Sequence, residues 1–252
     1  MSQGFGTRAR VGHLYPSGGL CDYEIQMMAP EGVQFVTTRV PFRRTGVADD
    51  LRFAEHVGAQ SELLADAAVE LVAVNCTAAT MLAGPERIRE VVAEHAGVPA
   101  VTTIEAVLGA LEHLDVRRVA LVTPYLPEVV EAESAYLADH GVDVVEVGGR
   151  PCGTPVEQGE IPPQAWVDTV AGLWLDGVDA VLLSCAGVQV APVIDEIERR
   201  TGRPLVTSNQ ALLWWVLRAL GLPEEAPGYG TLLSRDAERR SLTVESEDDH
   251  HV

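Results

Sequence analysis

The feature of this sequence that most constrains its fold is an internal repeat. Residues 69–78, VELVAVNCTA, match residues 178–187, VDAVLLSCAG, and the two cysteines, Cys76 and Cys185, lie 109 positions apart (185 − 76). Three further segments recur in the same order at offsets of 105 to 109 positions: residues 10–16 match 118–124, 32–36 match 141–145, and 99–103 match 204–208. Because this period is far longer than that of a solenoid repeat, the pattern predicts two copies of one βα half-domain.

Each copy contains an apolar run of strand type that ends just before its cysteine. A thiol at the carboxyl end of a buried strand lies where open α/β sheets place their ligands. A single cysteine of this kind is more often a buried structural residue, and the duplication is what favours a functional interpretation. If the two halves are related by a pseudo-twofold axis, Cys76 and Cys185 face each other across a cleft.

The order of the apolar and amphipathic segments predicts the fold class. Strands that alternate with amphipathic helices indicate an α/β fold, here with two pseudo-symmetric parallel-sheet βα halves and a cleft between them. We expect the first half, with Cys76, over residues 1–115, and the C-terminal helix is a candidate to pack back onto it. The second half, with Cys185, is expected over residues 116–222. The proline-rich and then acidic residues 223–252 predict an extended, disordered tail.

Composition excludes several classes of partner. A formal net charge of −19 leaves no basic surface for nucleic acid, and no segment approaches the roughly 18 consecutive apolar residues of a membrane span. Neither a nucleic-acid nor a membrane partner is therefore expected. The four cysteines, with no CxxC pair, do not indicate a disulfide framework or a zinc site. With no apolar signal segment at the N-terminus, a cytoplasmic location is expected.

Loops that follow equivalent strands supply further candidate residues. Ser17 and Gly18 follow the first strand and Tyr125 follows the strand that repeats it, so both loops are expected to open into the same cleft. The small residues after each cysteine leave backbone N–H groups that could stabilise an anion. The sequence contains neither a metal-ligand spacing nor a glycine-rich phosphate loop, so no cofactor is implied. His13 lies within a strand and is interpreted as a core histidine, and Cys21 as incidental.

Two cysteines at strand ends in duplicated halves resemble the aspartate/glutamate racemase superfamily. The segment SCAGVQVAPVI at residues 184–194, with the later Glu198, Gly202, Pro204 and LRALGL at 217–222, is similar to the branch of maleate cis–trans isomerases and arylmalonate decarboxylases. The resemblance covers roughly residues 8–222. It implies that both cysteines act, as in the isomerases, and that Tyr125 contacts the substrate. Arylmalonate decarboxylases have glycine at the position of Cys76, so the presence of both cysteines favours two-cysteine chemistry.

The function implied by the resemblance is a cofactor-independent isomerase of a small carboxylic acid, similar to maleate cis–trans isomerase, that works through an enediolate-type intermediate. Three alternatives stay open: an amino-acid or hydantoin-type racemase, an arylmalonate-type decarboxylase that protonates from Cys185, and a non-catalytic carboxylate-binding protein. The expected partners are a small carboxylate substrate and further copies of the chain in a homo-oligomer. The expected substrate-binding residues are Ser17, Gly18, Asn75, Thr77, Ala78, Tyr125, Ala186 and Gly187.

Two further expectations concern the substrate and the thiols. The isomerases carry carboxylate-binding asparagines after the first strand and near residues 154–158, where this chain has Ser17-Gly18-Gly19 and TPVEQ. A related carboxylate of different size is therefore at least as favoured as maleate. A helix that starts beside each cysteine is expected to lower the pKa of its thiol from the usual value of about 8.5.

Overall fold

The structure, a computed structural model, describes residues 5–222 and 226–234, which form parallel strands alternating with helices. None of these helices is both long and apolar enough to cross a membrane. The strands are β1 (Ala9–Pro16), β2 (Val33–Val40), β3 (Leu71–Val74), β4 (Ala100–Thr102), β5 (Arg118–Thr123), β6 (Asp143–Gly149), β7 (Ala180–Leu183) and β8 (Leu205–Thr207). The α-helices are α1 (Glu24–Met28), α2 (Val47–Ala65), α3 (Thr77–Ala83), α4 (Pro85–Ala96), α5 (Thr103–His113), α6 (Pro127–Asp139), α7 (Pro155–Glu160), α8 (Pro163–Ala171), α9 (Ile194–Thr201) and α10 (Ser208–Ala219). Short 3₁₀ segments lie at Ala191–Val193 and Thr231–Leu233.

The strands form two four-stranded parallel sheets with the same topology. Their orders are β2-β1-β3-β4 and β6-β5-β7-β8, so each strand of the first sheet has a counterpart in the second. Val74 of β3 pairs with Thr102 of β4, and Leu183 of β7 pairs with Thr207 of β8. These pairs are related by the offsets of the sequence repeat. The α/β fold with two pseudo-symmetric parallel-sheet halves, expected from the sequence, is confirmed.

Helices α5 and α10 pack against each other where the two halves meet. Gly109 of α5 lies against Trp215 of α10, and a Cβ added to Gly109 would come within 2.0 Å of a ring carbon of that tryptophan. The rings of His113 and Trp214 lie 5.1 Å apart at the same contact. One hydrophobic cluster runs through both halves, from Val11 in β1 to Val206 in β8. The halves are thus held together by a shared core.

Three short helices are not evident from the apolar periodicity of the sequence. Helices α1, α3 and α7 have five, seven and six residues, too few to establish a period. Helix α7 is started by a capping box, in which Thr154 accepts from the backbone N–H of Glu157 and Glu157 accepts from that of Thr154. Pro155 follows at the first helical position, which suits its fixed φ. Two residues of α7, Pro155 and Gln158, line the cavity described below.

Part of the expected C-terminal tail packs against the fold. Residues 226–234 pack onto the second half, where Leu232 and Leu233 are buried and the Glu198 carboxylate accepts hydrogen bonds from the backbone N–H of Thr231 at 3.1 and 2.9 Å. The expectation of an extended tail from residue 223 is wrong for these residues, because their leucines join the hydrophobic core. The remainder of the expected tail, residues 223–225 and 235–252, lies outside the described residues.

Candidate active site

Cys76 and Cys185 follow the carboxyl ends of equivalent strands, β3 and β7, and both line one small cavity. The volume of this cavity that the centre of a water molecule can occupy is about 30 Å³. Both cysteines are buried, with 8% and 6% of their surface exposed. The structure brings seven of the ten predicted site residues to this cavity: Cys76, Thr77, Ala78, Tyr125, Cys185, Ala186 and Gly187.

The Cys185 thiol is surrounded by hydrogen-bonding groups. Its Sγ accepts from the backbone N–H of Gly187 at 3.2 Å and lies 3.6 Å from Oε1 of Gln158. Tyr125 also lines the cavity and acts to lower the pKa of this thiol. The backbone at Cys185 has a φ of 155°, which a residue with a side chain rarely adopts. Strain of this kind collects at functional sites, where the surroundings hold a side chain in a required direction.

A serine at the start of α10 links the loops that carry the two cysteines. The hydroxyl of Ser208 accepts from the backbone N–H of Cys185 at 3.0 Å and lies 2.8 Å from the hydroxyl of Thr77, which follows Cys76. Cys76 itself is the N-cap residue of α3, and the nearby backbone N–H of Ala79 acts to lower the pKa of its thiol. This chain of contacts fixes the two cysteine loops relative to each other.

Burial controls the ionisation of both thiols. It raises the pKa of Cys76 well above the usual value and that of Cys185 to about 12, although donors from Gly187 and Tyr125 oppose the rise at Cys185. The expected lowering of the thiol pKa is therefore wrong. Helix α3 has only seven residues and a turn rather than a helix follows Cys185, so desolvation outweighs the favourable dipoles. Both groups rest as neutral thiols near neutral pH.

Two residues of the first half, Tyr15 and Cys21, and Asn209 of α10 hold the Cys185 loop in place. The Ala186 carbonyl accepts hydrogen bonds from the hydroxyl of Tyr15 at 3.1 Å and from the side-chain amide of Asn209 at 3.2 Å. The thiol of Cys21 donates to the carbonyl of Gly187 at 3.3 Å. With both carbonyls turned toward the first half, the Gly187 N–H faces the Cys185 sulfur. Cys21, interpreted from the sequence as incidental, is therefore part of this support.

Three predicted site residues do not line the cavity. Ser17 is exposed and exchanges hydrogen bonds with the backbone of Phe42, and Gly18 lies beside it. Asn75 is fully buried, where its amide nitrogen lies 3.0 Å from Nε2 of His13 and donates to Asn209 at 2.8 Å. The side chain of Asn75 therefore makes its hydrogen bonds in the contact between the halves and does not reach the cavity. His13 is the core histidine expected from the sequence, and burial lowers its pKa to about 4.

Several residues that line the cavity were not anticipated from the sequence. Gln158 comes from the unanticipated helix α7, and Asp50 from the first turn of α2. The remaining ones flank the first strand or the loops that face it. Together the unanticipated lining residues are Tyr15, Pro16, Gly19, Phe42, Thr45, Asp50, Pro155 and Gln158. The side-chain amide of Gln158 is the group closest in kind to the asparagine that the resemblance implies near residues 154–158.

Comparison with known proteins places this arrangement in a family. The sequence profile described as arylmalonate decarboxylase matches residues 14–233, which contain both cysteines and every strand except the first part of β1. This chain belongs to the arylmalonate decarboxylase family. The match covers every residue that lines the cavity.

The proteins that this chain resembles fall into two groups with different activities. The maleate isomerase of Nocardia farcinica is 34% identical over 184 residues, which cover 69% of this chain and 73% of that protein. The arylmalonate decarboxylase of Bordetella bronchiseptica is 40% identical over 149 residues, or 55% and 59% of the two chains. A crystal structure of a cysteine-to-serine mutant of the Nocardia farcinica maleate cis–trans isomerase, with a covalently bound succinylcysteine intermediate, superposes with a TM-score of 0.84 at 26% identity over 89% of this chain and 98% of that one. The chain is an enzyme of isomerase type, with decarboxylation as the second candidate activity.

A buried acid lies behind the second cysteine of this family member. Glu133 of α6 is 1% exposed, and its Oε1 accepts a short hydrogen bond from the hydroxyl of Ser184, the residue before Cys185. Within residues 5–222 and 226–234, no hydrogen-bond partner reaches its other carboxylate oxygen. Burial raises its pKa from 4.5 to about 7, although the Ser184 hydrogen bond opposes the rise. The carboxyl is therefore protonated below about pH 7 in the folded protein.

This raised pKa predicts that stability falls as the pH rises. Unfolded Glu133 ionises near pH 4.5 and folded Glu133 near 7, so its contribution is complete below pH 4.5 and is lost as the pH passes through 7. We expect Glu133→Gln to raise the free energy of unfolding by roughly 3 kcal/mol at pH 8 and to leave it nearly unchanged at pH 4. Urea unfolding at the two pH values measures this. The exposed Glu131→Gln on the same helix is the control, and equal effects of the two variants would contradict the assignment.

The support from Tyr15 predicts a loss of both stability and activity. Tyr15→Phe removes the hydroxyl that donates to Ala186 and accepts from the backbone N–H of Cys21 at 3.1 Å. We expect a fall of about 1–2 kcal/mol in the free energy of unfolding, because a buried N–H loses its acceptor. Because the Cys185 loop loses a restraint, kcat should also fall. Urea unfolding and steady-state kinetics check this, with the exposed Tyr23→Phe as control, and an active Tyr15→Phe enzyme of unchanged stability would refute it.

Proposed function

We propose that this enzyme is a cofactor-independent cis–trans isomerase of a small unsaturated carboxylate, with Cys76 and Cys185 as its catalytic pair. The observation that carries the proposal is that two buried thiols from equivalent strands line one cavity. The succinylcysteine intermediate of the Nocardia farcinica relative supports covalent chemistry at a cysteine in this fold. A succinyl group is saturated, so forming it from an unsaturated acid needs both a sulfur nucleophile and a proton donor.

The two thiols divide these roles in the proposed mechanism. The thiolate of Cys76 adds to one carbon of the double bond, and the π electrons move toward the adjacent carboxylate as an enediolate. Cys185 then gives its proton to the neighbouring carbon and becomes a thiolate, which Gly187 and Tyr125 stabilise as donors. The central single bond rotates. The Cys185 thiolate takes a proton back, the S–C bond breaks, and the trans acid leaves with Cys76 again a thiolate.

The raised pKa of Cys185 suits a proton donor. A thiol with a pKa of about 12 remains protonated until a strongly basic carbon forms beside it. The corresponding thiolate of Cys76 is sparsely populated but intrinsically nucleophilic, because nucleophilicity rises with thiol pKa. The same burial that overturns the expectation of acidic thiols therefore supports this pair.

Binding of the substrate carboxylate is proposed to involve the backbone N–H groups beside the cysteines, at Thr77, Ala78, Ala186 and Gly187, together with Tyr125. The side-chain amide of Gln158, buried beside Cys185, adds a further polar group. An amide can donate to a carboxylate without a formal charge of its own. Ser17, Gly18 and Asn75 enter the proposal only as residues that shape the loops around this site.

Decarboxylation of an arylmalonate, with protonation from Cys185, is the second candidate activity. The 40% identity to the Bordetella bronchiseptica decarboxylase over 149 residues favours it. The presence of Cys76 favours isomerisation, because a decarboxylase that protonates from Cys185 needs no second thiol. A racemase of amino-acid or hydantoin type would use the same two thiols on opposite faces of one carbon.

We also propose the wider organisation of the enzyme. Residues 1–115 and 116–222 form its two halves, and the enzyme acts in the cytoplasm as a homo-oligomer. Exposed apolar side chains support self-association: Val147 on the edge strand β6 and Trp174 are 51% and 73% exposed. Sedimentation velocity over a range of concentrations tests the oligomer.

Proton NMR in deuterated water tests the proposed activity. The enzyme is incubated with unsaturated acids, amino acids and arylmalonates, and we expect conversion of a cis-unsaturated acid to its trans isomer. Deuterium incorporation at the α-carbon of an amino acid without any isomerisation would support the racemase instead. Release of CO₂ from an arylmalonate without isomerisation would support the decarboxylase.

A further inference from the structure

Among the described residues that line the cavity, one has a carboxyl side chain and none has a basic side chain. Asp50 lines it from the first turn of α2 and is 2% exposed, with its backbone N–H donating to the carbonyl of Gly46 at 3.0 Å. Among the described residues that line the cavity there is no lysine, arginine or histidine. Two anionic groups of a substrate would therefore share a small site with a carboxylate that no cation neutralises.

The surroundings of Asp50 add negative charge. Asp49, the neighbouring acid, forms an ion pair with Arg52 at 3.1 Å outside the cavity. Glu128 of α6 lies close to the Gly46 backbone, with its Oε1 3.5 Å from the position that a Cβ there would take. The ionisable groups that line the cavity with Asp50 are Cys76, Cys185, Tyr15 and Tyr125. Each of these is neutral or anionic, so none balances the charge of Asp50.

Other lining groups near the start of α2 cannot take over the binding of an anion. The hydroxyl of Thr45 already donates to the Cys152 carbonyl at 2.7 Å, and Phe42 is apolar. Burial raises the pKa of Asp50 to about 7, with Asp49 adding to the rise. Above that pH the carboxylate is ionised and presents only hydrogen-bond acceptors. The substrate group that fits against this carboxylate is therefore a hydrogen-bond donor.

We propose that Asp50 is a specificity-determining residue that selects a substrate with a hydrogen-bond donor, such as a carboxamide, in place of a second carboxylate. The inference rests on the proposed function, since it names the group at the far end of the same unsaturated carboxylate. A carboxamide and a carboxylate have nearly the same shape, so the discrimination arises from charge and from pairing. A carboxylate beside ionised Asp50 meets a like charge, whereas an amide N–H satisfies the acceptor.

Calorimetric titration with succinate and its monoamide, succinamate, tests this inference. The two compounds have the same carbon skeleton and no double bond, so binding is measured without turnover. At pH 8 we expect the wild-type enzyme to bind succinamate at least about tenfold more tightly than succinate. Asp50→Asn should reduce that preference at least about tenfold by improving the binding of succinate, and Asp49→Asn, which changes the neighbouring carboxylate outside the cavity, should leave it unchanged.

Each outcome bears on the inference. A wild-type enzyme that prefers succinate, that binds neither compound, or whose preference survives Asp50→Asn would overturn it. If Asp50→Asn is insoluble, Asp50→Ser removes the same charge and carries the same expectation. Isomerisation of an unsaturated acid together with an unchanged preference contradicts only the role of Asp50. The expected preference in an enzyme that isomerises no unsaturated acid supports that role and contradicts only the proposed function.

Discussion

Replacing Cys76 or Cys185 with serine is expected to lower kcat for isomerisation by about 10³-fold or more. Serine retains the shape of the side chain, and its hydroxyl can still accept the Gly187 hydrogen bond at position 185. Its pKa is too high for it to act as a nucleophile or to deliver a proton at a useful rate. Both losses therefore concern the chemical step and should appear in kcat with a modest change in KM.

The double variant distinguishes a catalytic pair from two independent contributors. Because the two thiols act in one turnover, the Cys76→Ser, Cys185→Ser double variant should be about as inactive as the worse single variant. Cys152→Ser is the control, since the Cys152 thiol donates only to the nearby Arg150 carbonyl and does not line the cavity. Losses that multiply in the double variant would mean that the cysteines act separately.

Tyr125→Phe is expected to lower kcat by about 10²-fold. The Tyr125 hydroxyl lowers the pKa of Cys185, so it stabilises the thiolate that remains after Cys185 has given up its proton. Burial raises the pKa of Tyr125 well above its usual value, which keeps this hydroxyl protonated over the working pH range. Single-turnover rates measure the effect on the chemical step. The partly buried Tyr136→Phe on α6 is the matched control.

A Tyr125→Phe enzyme with normal kcat and raised KM would assign Tyr125 to substrate binding alone. The reactivity of the Cys185 thiol adds a second readout. Loss of the hydroxyl removes a group that lowers the pKa of Cys185, so the rate at which iodoacetamide alkylates this thiol at a fixed pH should fall. An unchanged alkylation rate would contradict this role of the hydroxyl.

The duplicated fold could be predicted because the repeat is carried by buried strands. Val74 and Leu183 end equivalent strands, and their apolar runs are determined by the sheet that surrounds them. The position of each cysteine follows from the end of its strand. This part of the site depends on short-range sequence order, and one sequence is enough to reveal it.

The contacts across the two halves could not be predicted in the same way. Asn75 directly precedes Cys76 and was expected to bind substrate, but Asn209 and His13 use its side chain in the core. The sequence predicts that Asp50 lies at the start of α2. The direction of its side chain, however, depends on how that helix packs against the rest of the fold. These properties arise from pairs of elements far apart in the sequence.

The direction in which the thiol pKa values shift could also not be predicted from the sequence pattern. A helix start predicts a lowered pKa, but the extent of burial determines the outcome at Cys76 and Cys185. Gln158 could have been found from the capping box at Thr154 and Glu157, which marks a helix beginning within a proline-rich stretch. That signal identifies the helix and leaves open the direction in which Gln158 points.

The activity of the Cys76→Gly enzyme tests the two-cysteine account most directly. Glycine is the residue that the resemblance implies for decarboxylases at this position, so the substitution removes the proposed nucleophile and keeps a residue compatible with the family. The account predicts a loss of at least about 10³-fold in the rate of cis–trans isomerisation, with the circular dichroism spectrum unchanged. A Cys76→Gly enzyme that isomerises its natural substrate at the wild-type rate would contradict it.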